Sequence, residues 1–148
     1  MEEEVLKKAV KYLNARMRSE YEMAKYLQSK GYAREDILEA IAKLKEYGYL
    51  NDLAYAGAFI RDKINFNPCG SKKIYVELRK RGVKAQVINQ ALAENMCPEV
   101  EEELAQKIAL KRPAESKDKL MRYLLGRGFT NQAARRALEN IERAKDLS

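Results

Sequence analysis

Histidine and tryptophan are absent from this chain. Without histidine there is no Ser-His-Asp or Cys-His catalysis, no imidazole-ligated zinc, and no general base of the usual kind near neutral pH. Cysteine occurs twice, at Cys69 and Cys97, with no CxxC spacing. Two thiols cannot close a four-ligand structural zinc site, so they read as small packing residues. Proline occurs three times and glycine seven, and no glycine-rich phosphate loop is present. No apolar run approaches the ~20 residues that span a bilayer. The start, Met1-Glu2-Glu3-Glu4, is acidic and no apolar signal segment follows it. These absences predict a cytoplasmic protein with no cofactor, no metal centre and no catalytic residue.

What is abundant is charge. Of 148 residues, 46% are apolar and 34% charged, which suits a helical protein with an ion-rich surface. The net charge of +7 is uneven. Residues 1–50 hold ten Lys/Arg against nine Asp/Glu, residues 51–98 eight against four, and residues 99–148 eleven against nine. The excess in the middle third fits contact with a polyanion, although many plain soluble proteins carry as much.

One pattern occurs three times. Leu27-Gln28-Ser29-Lys30-Gly31-Tyr32 is echoed by Leu78-Arg79-Lys80-Arg81-Gly82-Val83 and by Leu124-Leu125-Gly126-Arg127-Gly128-Phe129. Six residues past each glycine come Ile37, Ile88 and Ala134. Nine and ten past come Ala40-Ile41, Ala91-Leu92 and Ala137-Leu138, and twelve before stand Ser19, Gly70 and Ser116. A period near fifty residues implies one helical unit copied and stacked. Such arrays usually present a surface to a large partner.

Apolar spacing of three and four predicts three helices in each unit and no strand. In the first unit Val5, Leu6, Ala9, Val10, Leu13 and Met17 mark an inner face. Ser19-Glu20-Tyr21-Glu22 is a capping box opening the second helix, Gly31 ends that helix, and Ile37, Ala40, Ile41 and Leu44 line the third. The second unit places Ala56, Phe59, Ile60 and Ile64 inward, then turns through Asn65–Gly70 into a helix built on Ile74 and Leu78. The third opens after Cys97-Pro98 and ends on a helix burying Ala134, Ala137, Leu138 and Ile141. Tyr32, Tyr49 and Phe129 are expected to staple helix ends onto the core. Glu99, Glu101, Glu102 and Glu103 read as dipole complementation on a solvated face. The prediction is an all-α array of three tandem three-helix repeats: residues 1–50, 51–98 and 99–148. The links at Asn51-Asp52 and Met96-Cys97-Pro98 are too short to be free, which predicts an elongated, bent rod with limited hinge freedom.

The candidate contact residues are basic. On the helix at 71–81, Ile74 and Leu78 face inward, and Lys72, Lys73, Arg79, Lys80 and Arg81 lie outward with Lys84 beyond. Glu77 is placed to offset Lys73 and Arg81 at four-residue spacing. The segment reads either as a phosphate-contacting face, with Tyr75 available for stacking, or as an ordinary solvated face. Arg135 and Arg136 on the last helix, Arg127, and Arg16 with Arg18 beside the first helix end are further candidates.

Gly48-Tyr49-Leu50-Asn51-Asp52, followed by Tyr55-Ala56 and Phe59, resembles the signature of the RecX regulatory proteins. Arg18-Ser19 with Leu27 and Lys30-Gly31-Tyr32 resembles the first part of that pattern. Gly70, Ile74, Leu78 and Arg81-Gly82-Val83 resemble the second part, and Leu120, Arg122, Leu124 and Arg127-Gly128-Phe129 the third. The match covers about residues 5–142. It departs at Asn51-Asp52, where the family often has two aspartates, and at Asn67-Pro68-Cys69-Gly70, where a basic glycine-rich turn is common. It departs again at Ala134, which replaces a larger aliphatic and would loosen the third unit. The resemblance implies tandem three-helix repeats in a curved molecule that binds within the groove of a RecA recombinase filament on DNA. It also implies modulation, usually inhibition, of ATP hydrolysis, strand exchange and coprotease activity. Direct binding to DNA by a helix-turn-helix is the alternative that the basic helix leaves open.

Overall fold

A computed structural model describes residues 2–147 as nine helices, with no strand among them. They are α1 (Glu2–Ala15), α2 (Glu20–Ser29), α3 (Arg34–Glu46), α4 (Asp52–Phe66), α5 (Ser71–Lys80), α6 (Ala85–Asn95), α7 (Pro98–Leu110), α8 (Lys117–Gly126) and α9 (Asn131–Leu147). Met1 and Ser148, the outer limits of the expected first and third units, lie outside the described residues. Every extensive helix–helix contact falls within a successive triplet.

In the first triplet Val5, Ala9, Met23, Leu27, Ile37, Ala40, Leu44 and Leu50 form a core of their own. The Tyr12 and Tyr26 rings stack at 3.8 Å and tie α1 to α2. The second and third triplets share one continuous core that runs from Tyr55 and Ile60 through Ile74, Leu78 and Ile88 to Leu124, Phe129 and Leu138. Ile74 and Leu78 are fully buried, so truncating Leu78 to alanine would cost ~2–5 kcal/mol. The most extensive pairing is α7 on α9, where Ala105, Ala109, Ala133, Ala134 and Ala137 are buried. Side chains this small let two helices approach closely. Ala134 is fully buried in that packing.

Two apolar residues differ from their expected places. Met17 was expected on the inner face of the first helix, but α1 ends at Ala15 and Met17 is 48% exposed. Tyr49 does not staple a helix end and is 57% exposed. The turn after Gly48 carries one more residue before the chain re-enters the core, so Leu50 takes that place. Phe129 is fully buried and Tyr32 packs partly against the first core, as the pattern predicted.

Units join end to end through their second helices. The amide of Gly70, the N-cap of α5, donates to the Arg127 carbonyl (2.9 Å), and that of Lys72 to the Gly128 carbonyl (2.9 Å). The N-terminus of α5 therefore meets the C-terminus of α8. The C-terminus of α5 in turn meets the N-terminus of α2, where the Ser19 hydroxyl donates to the Arg81 carbonyl (2.7 Å). Free N–H groups and free carbonyls at helix ends satisfy one another, and the dipoles run head to tail. Glycine is required at both contacts: Gly82 has φ of +81°, and a Cβ there would overlap the Tyr21 Cβ. Gly128 has φ of +91°, and a Cβ there would lie 2.6 Å from the Lys73 amide nitrogen. At Gly70 a Cβ would overlap the backbone of Gly128 and Phe129.

Candidate partner-binding face

α5 forms because Ile74 and Leu78 bury one stripe and basic residues in its last turn complement its dipole. Its N-cap Gly70 has no side chain to cap the helix. Glu101 on α7 supplies the missing acceptor. This carboxylate is 4% exposed and accepts the Ser71 amide (3.0 Å), the Ser71 hydroxyl (3.0 Å) and the Thr130 amide (3.3 Å). The N-terminal ends of α5 and α9 thus converge on one carboxylate. The expectation of a solvated face fails for Glu101, because its partners stand 30 and 29 positions away and are brought to it only by stacking. Glu99 and Glu103 are exposed, while Glu102 is half-buried and accepts from Asn140 (2.9 Å).

A parallel arrangement closes the first junction. Ser19 and Glu22 form the predicted capping box, and the Glu20 amide donates to Asp52 on α4 (2.9 Å). Burial pushes the Asp52 carboxyl above its ordinary range, and the Glu20 charge adds to this against that hydrogen bond. Burial also disfavours the Glu22 carboxylate, but the Ser19 amide and the Arg16 guanidinium together hold it below the usual range.

With both ends occupied, α5 offers only its flank. Lys72, Lys73, Val76, Arg79 and Lys80 are exposed, and at about 100° per residue they fall within an arc of about 120°. Among the described residues no carboxylate pairs with Lys72, Lys73, Lys80 or Lys84. Glu77 does not offset this arc: it turns toward α4 and pairs with Lys63 at 3.2 Å. Arg79 is exposed and donates to the Val83 carbonyl (3.3 Å). Lys84 extends the arc as the N-cap of α6.

The other candidates separate from this set. Arg81 is half-buried over the Phe59 ring at 4.6 Å and donates to the Glu77 carbonyl. Arg127 is half-buried and donates to the Pro68 carbonyl, fixing the turn before α5. Arg18 lies over Tyr12 at 3.8 Å. These three guanidiniums hold the fold. Arg16 pairs with Glu22 at 3.3 Å, and Arg136 reaches Glu102 at 4.0 Å. Arg135 is exposed on α9.

Helical triplets stacked through capped ends define a class of modular helical-repeat proteins. The first two triplets match the models of the first and second three-helix domains of RecX, over residues 6–44 and 51–92. Regulatory protein RecX of Caldanaerobacter subterraneus subsp. tengcongensis is 35% identical over 142 residues, covering 95% of this chain and 68% of that protein. Regulatory protein RecX of Pelodictyon phaeoclathratiforme is 35% identical over 134 residues, with 88% and 84% covered. The chain spans about half the length of the Streptococcus agalactiae relative, which is 31% identical over 140 residues, with 91% of this chain and 54% of that one covered. The crystal structure of RecX from Lactobacillus salivarius shares the fold with a TM-score of 0.88 at 23% identity, covering 95% of this chain and 96% of its own. Another RecX crystal structure superposes with a TM-score of 0.80 at 27% identity, over 93% and 71%. The chain belongs to the RecX family of regulatory proteins.

Proposed function

We propose that this protein is a non-catalytic, cytoplasmic regulator that binds the RecA recombinase filament in its helical groove and inhibits ATP hydrolysis, strand exchange and coprotease activity. The building blocks we propose are residues 1–50, 51–98 and 99–148, set in a curved, elongated row. The observation that carries this reading is the unpaired basic flank of α5 at the middle of an end-to-end stack. A row of units bridges several subunits of a polymer, and a cationic flank suits a groove that holds DNA. The test is DNA-dependent ATP hydrolysis by RecA, with co-sedimentation of the filament, at stoichiometric ratios. The parent protein is expected to slow hydrolysis and to pellet with the filament. Lys72→Glu with Lys73→Glu and Lys80→Glu is expected to keep the parent melting temperature and to lose both effects. A parent protein that neither pellets nor changes hydrolysis sinks the proposal.

A second reading, direct contact of this flank with DNA, is favoured by the same unpaired lysines. Occupied helix ends count against insertion of α5 as a recognition helix, because such helices offer their N-terminal residues to base edges. Flank contact with about five phosphates would give a slope of log K against log salt near −4, measured without recombinase. A flat response eliminates it.

A further inference from the structure

The two junctions are built differently. Between the second and third triplets, two main-chain hydrogen bonds join Gly70 to Arg127 and Lys72 to Gly128. A buried carboxylate takes three more donors there, and the apolar core runs through without a break. Between the first and second triplets, the hydrogen bonds run through side chains, from the Ser19 hydroxyl to Arg81 and from the Glu20 amide to Asp52. The apolar cores are separate on the two sides.

The connectors differ in the same sense. α6 ends at Asn95 and α7 starts at Pro98, so only Met96 and Cys97 intervene, and Met96 is buried. α3 ends at Glu46 and α4 starts at Asp52, which leaves residues 47–51 between them. Of these Tyr47, Gly48, Tyr49 and Asn51 are exposed. An open cleft of about 490 Å³ lies at this junction, lined by Arg16, Glu22, Tyr55, Phe59, Asp62 and Arg81. Water therefore reaches the junction from the side, and the Tyr21 side chain that lies over Gly82 is 44% exposed.

We infer that the chain has one joint: the first triplet swings as a body about the contact of α5 with α2, and the second and third triplets move as a single rigid piece. Ser19 is fully buried, but once the seam opens its hydroxyl and the Glu20 amide exchange their protein acceptors for water at small net cost. Separating a shared core instead exposes apolar surface at about 25 cal/mol per Å². Hinges in proteins are a few residues at element ends that absorb the backbone change. Residues 47–51 meet that description, with Leu50 anchored in the first core and Asp52 in the first turn of α4. The joint lets the first triplet change its angle to the basic flank of α5 without breaking either core.

The test is pulsed spin-label distance measurement on the whole chain. In a Cys97→Ser background, with Cys69 buried, labels are placed on exposed sites as two pairs: Glu39→Cys with Gln86→Cys, and Gln86→Cys with Arg143→Cys. The shared label at residue 86 contributes the same rotamer spread to both pairs. The pair across the first junction is expected to give a distribution at least about twofold broader than the pair across the second. Ser19→Ala with Asp52→Ala is expected to widen the first further and leave the second unchanged. Equal widths, a broader second pair, or a first pair insensitive to the double substitution would overturn the joint.

Discussion

Glu101→Ala separates a junction closed by a buried carboxylate from one closed by apolar packing alone. The substitution leaves the amides of Ser71 and Thr130 and the Ser71 hydroxyl without their acceptor, at a site where the carboxylate is 4% exposed. Hydrogen bonds to a charged group are worth ~1.5–3 kcal/mol each, and the contributions do not simply add. A buried donor left without an acceptor costs ~1–3 kcal/mol, so about 3–5 kcal/mol is expected here for three donors whose losses do not fully add. A domain of this size loses about 2–4 °C of melting temperature per kcal/mol, so the drop should be about 6–20 °C. Glu101→Gln keeps one oxygen acceptor but turns an NH2 group toward the donors, and should fall between the two. Urea unfolding gives the free energy, and hydrogen exchange should show the Ser71 and Thr130 amides losing protection selectively. A carboxylate on a solvated face would change stability by less than ~0.5 kcal/mol. A Glu101→Ala value in that range would refute the carboxylate clasp.

Glycines at equivalent places should respond unequally. Gly31 and Gly128 both have positive φ, but a Cβ at Gly31 meets nothing within 4 Å and one at Gly128 strikes Lys73. Gly31→Ala should cost only the left-handed strain of ~1–2 kcal/mol, whereas Gly128→Ala should cost clearly more, as read by denaturant unfolding. Asp52 gives a pH prediction. Its folded-state pKa is raised, so its contribution is most favourable at acid pH and is lost as pH rises through that pKa. Asp52→Asn keeps an oxygen for the Glu20 amide and removes the burial penalty. It should therefore be neutral to stabilising at pH 7, and the difference from the parent should shrink or reverse near pH 3.

Much of this architecture was legible in the chain. The recurring Ser19/Gly70/Ser116 and Gly31/Gly82/Gly128 positions marked where each second helix starts and stops, because capping and left-handed turns depend on local chemistry. Ile74 and Leu78 marked the inner stripe of α5, so its basic flank followed from helical geometry. What was hidden depends on distant partners. Glu101 looks like any acid at a helix start until Ser71 and Thr130 are brought to it. Glu77 looks like a neutralising neighbour of Lys73 until α4 offers Lys63. Arg127 reads as a surface cation, yet the Pro68 carbonyl takes its guanidinium. Two signals could have exposed the junctions: an acidic residue in the first turn of both α4 and α7, and a glycine in place of a capping serine at residue 70.

The end-to-end seating of α8 on α5 and of α5 on α2 also bears on growth by gene duplication. Each added triplet would arrive with carbonyls that finish the helix before it, so lengthening such a chain requires no newly invented terminus. A lineage can then alter its reach in whole steps, each seam setting the start of one helix on the finish of another.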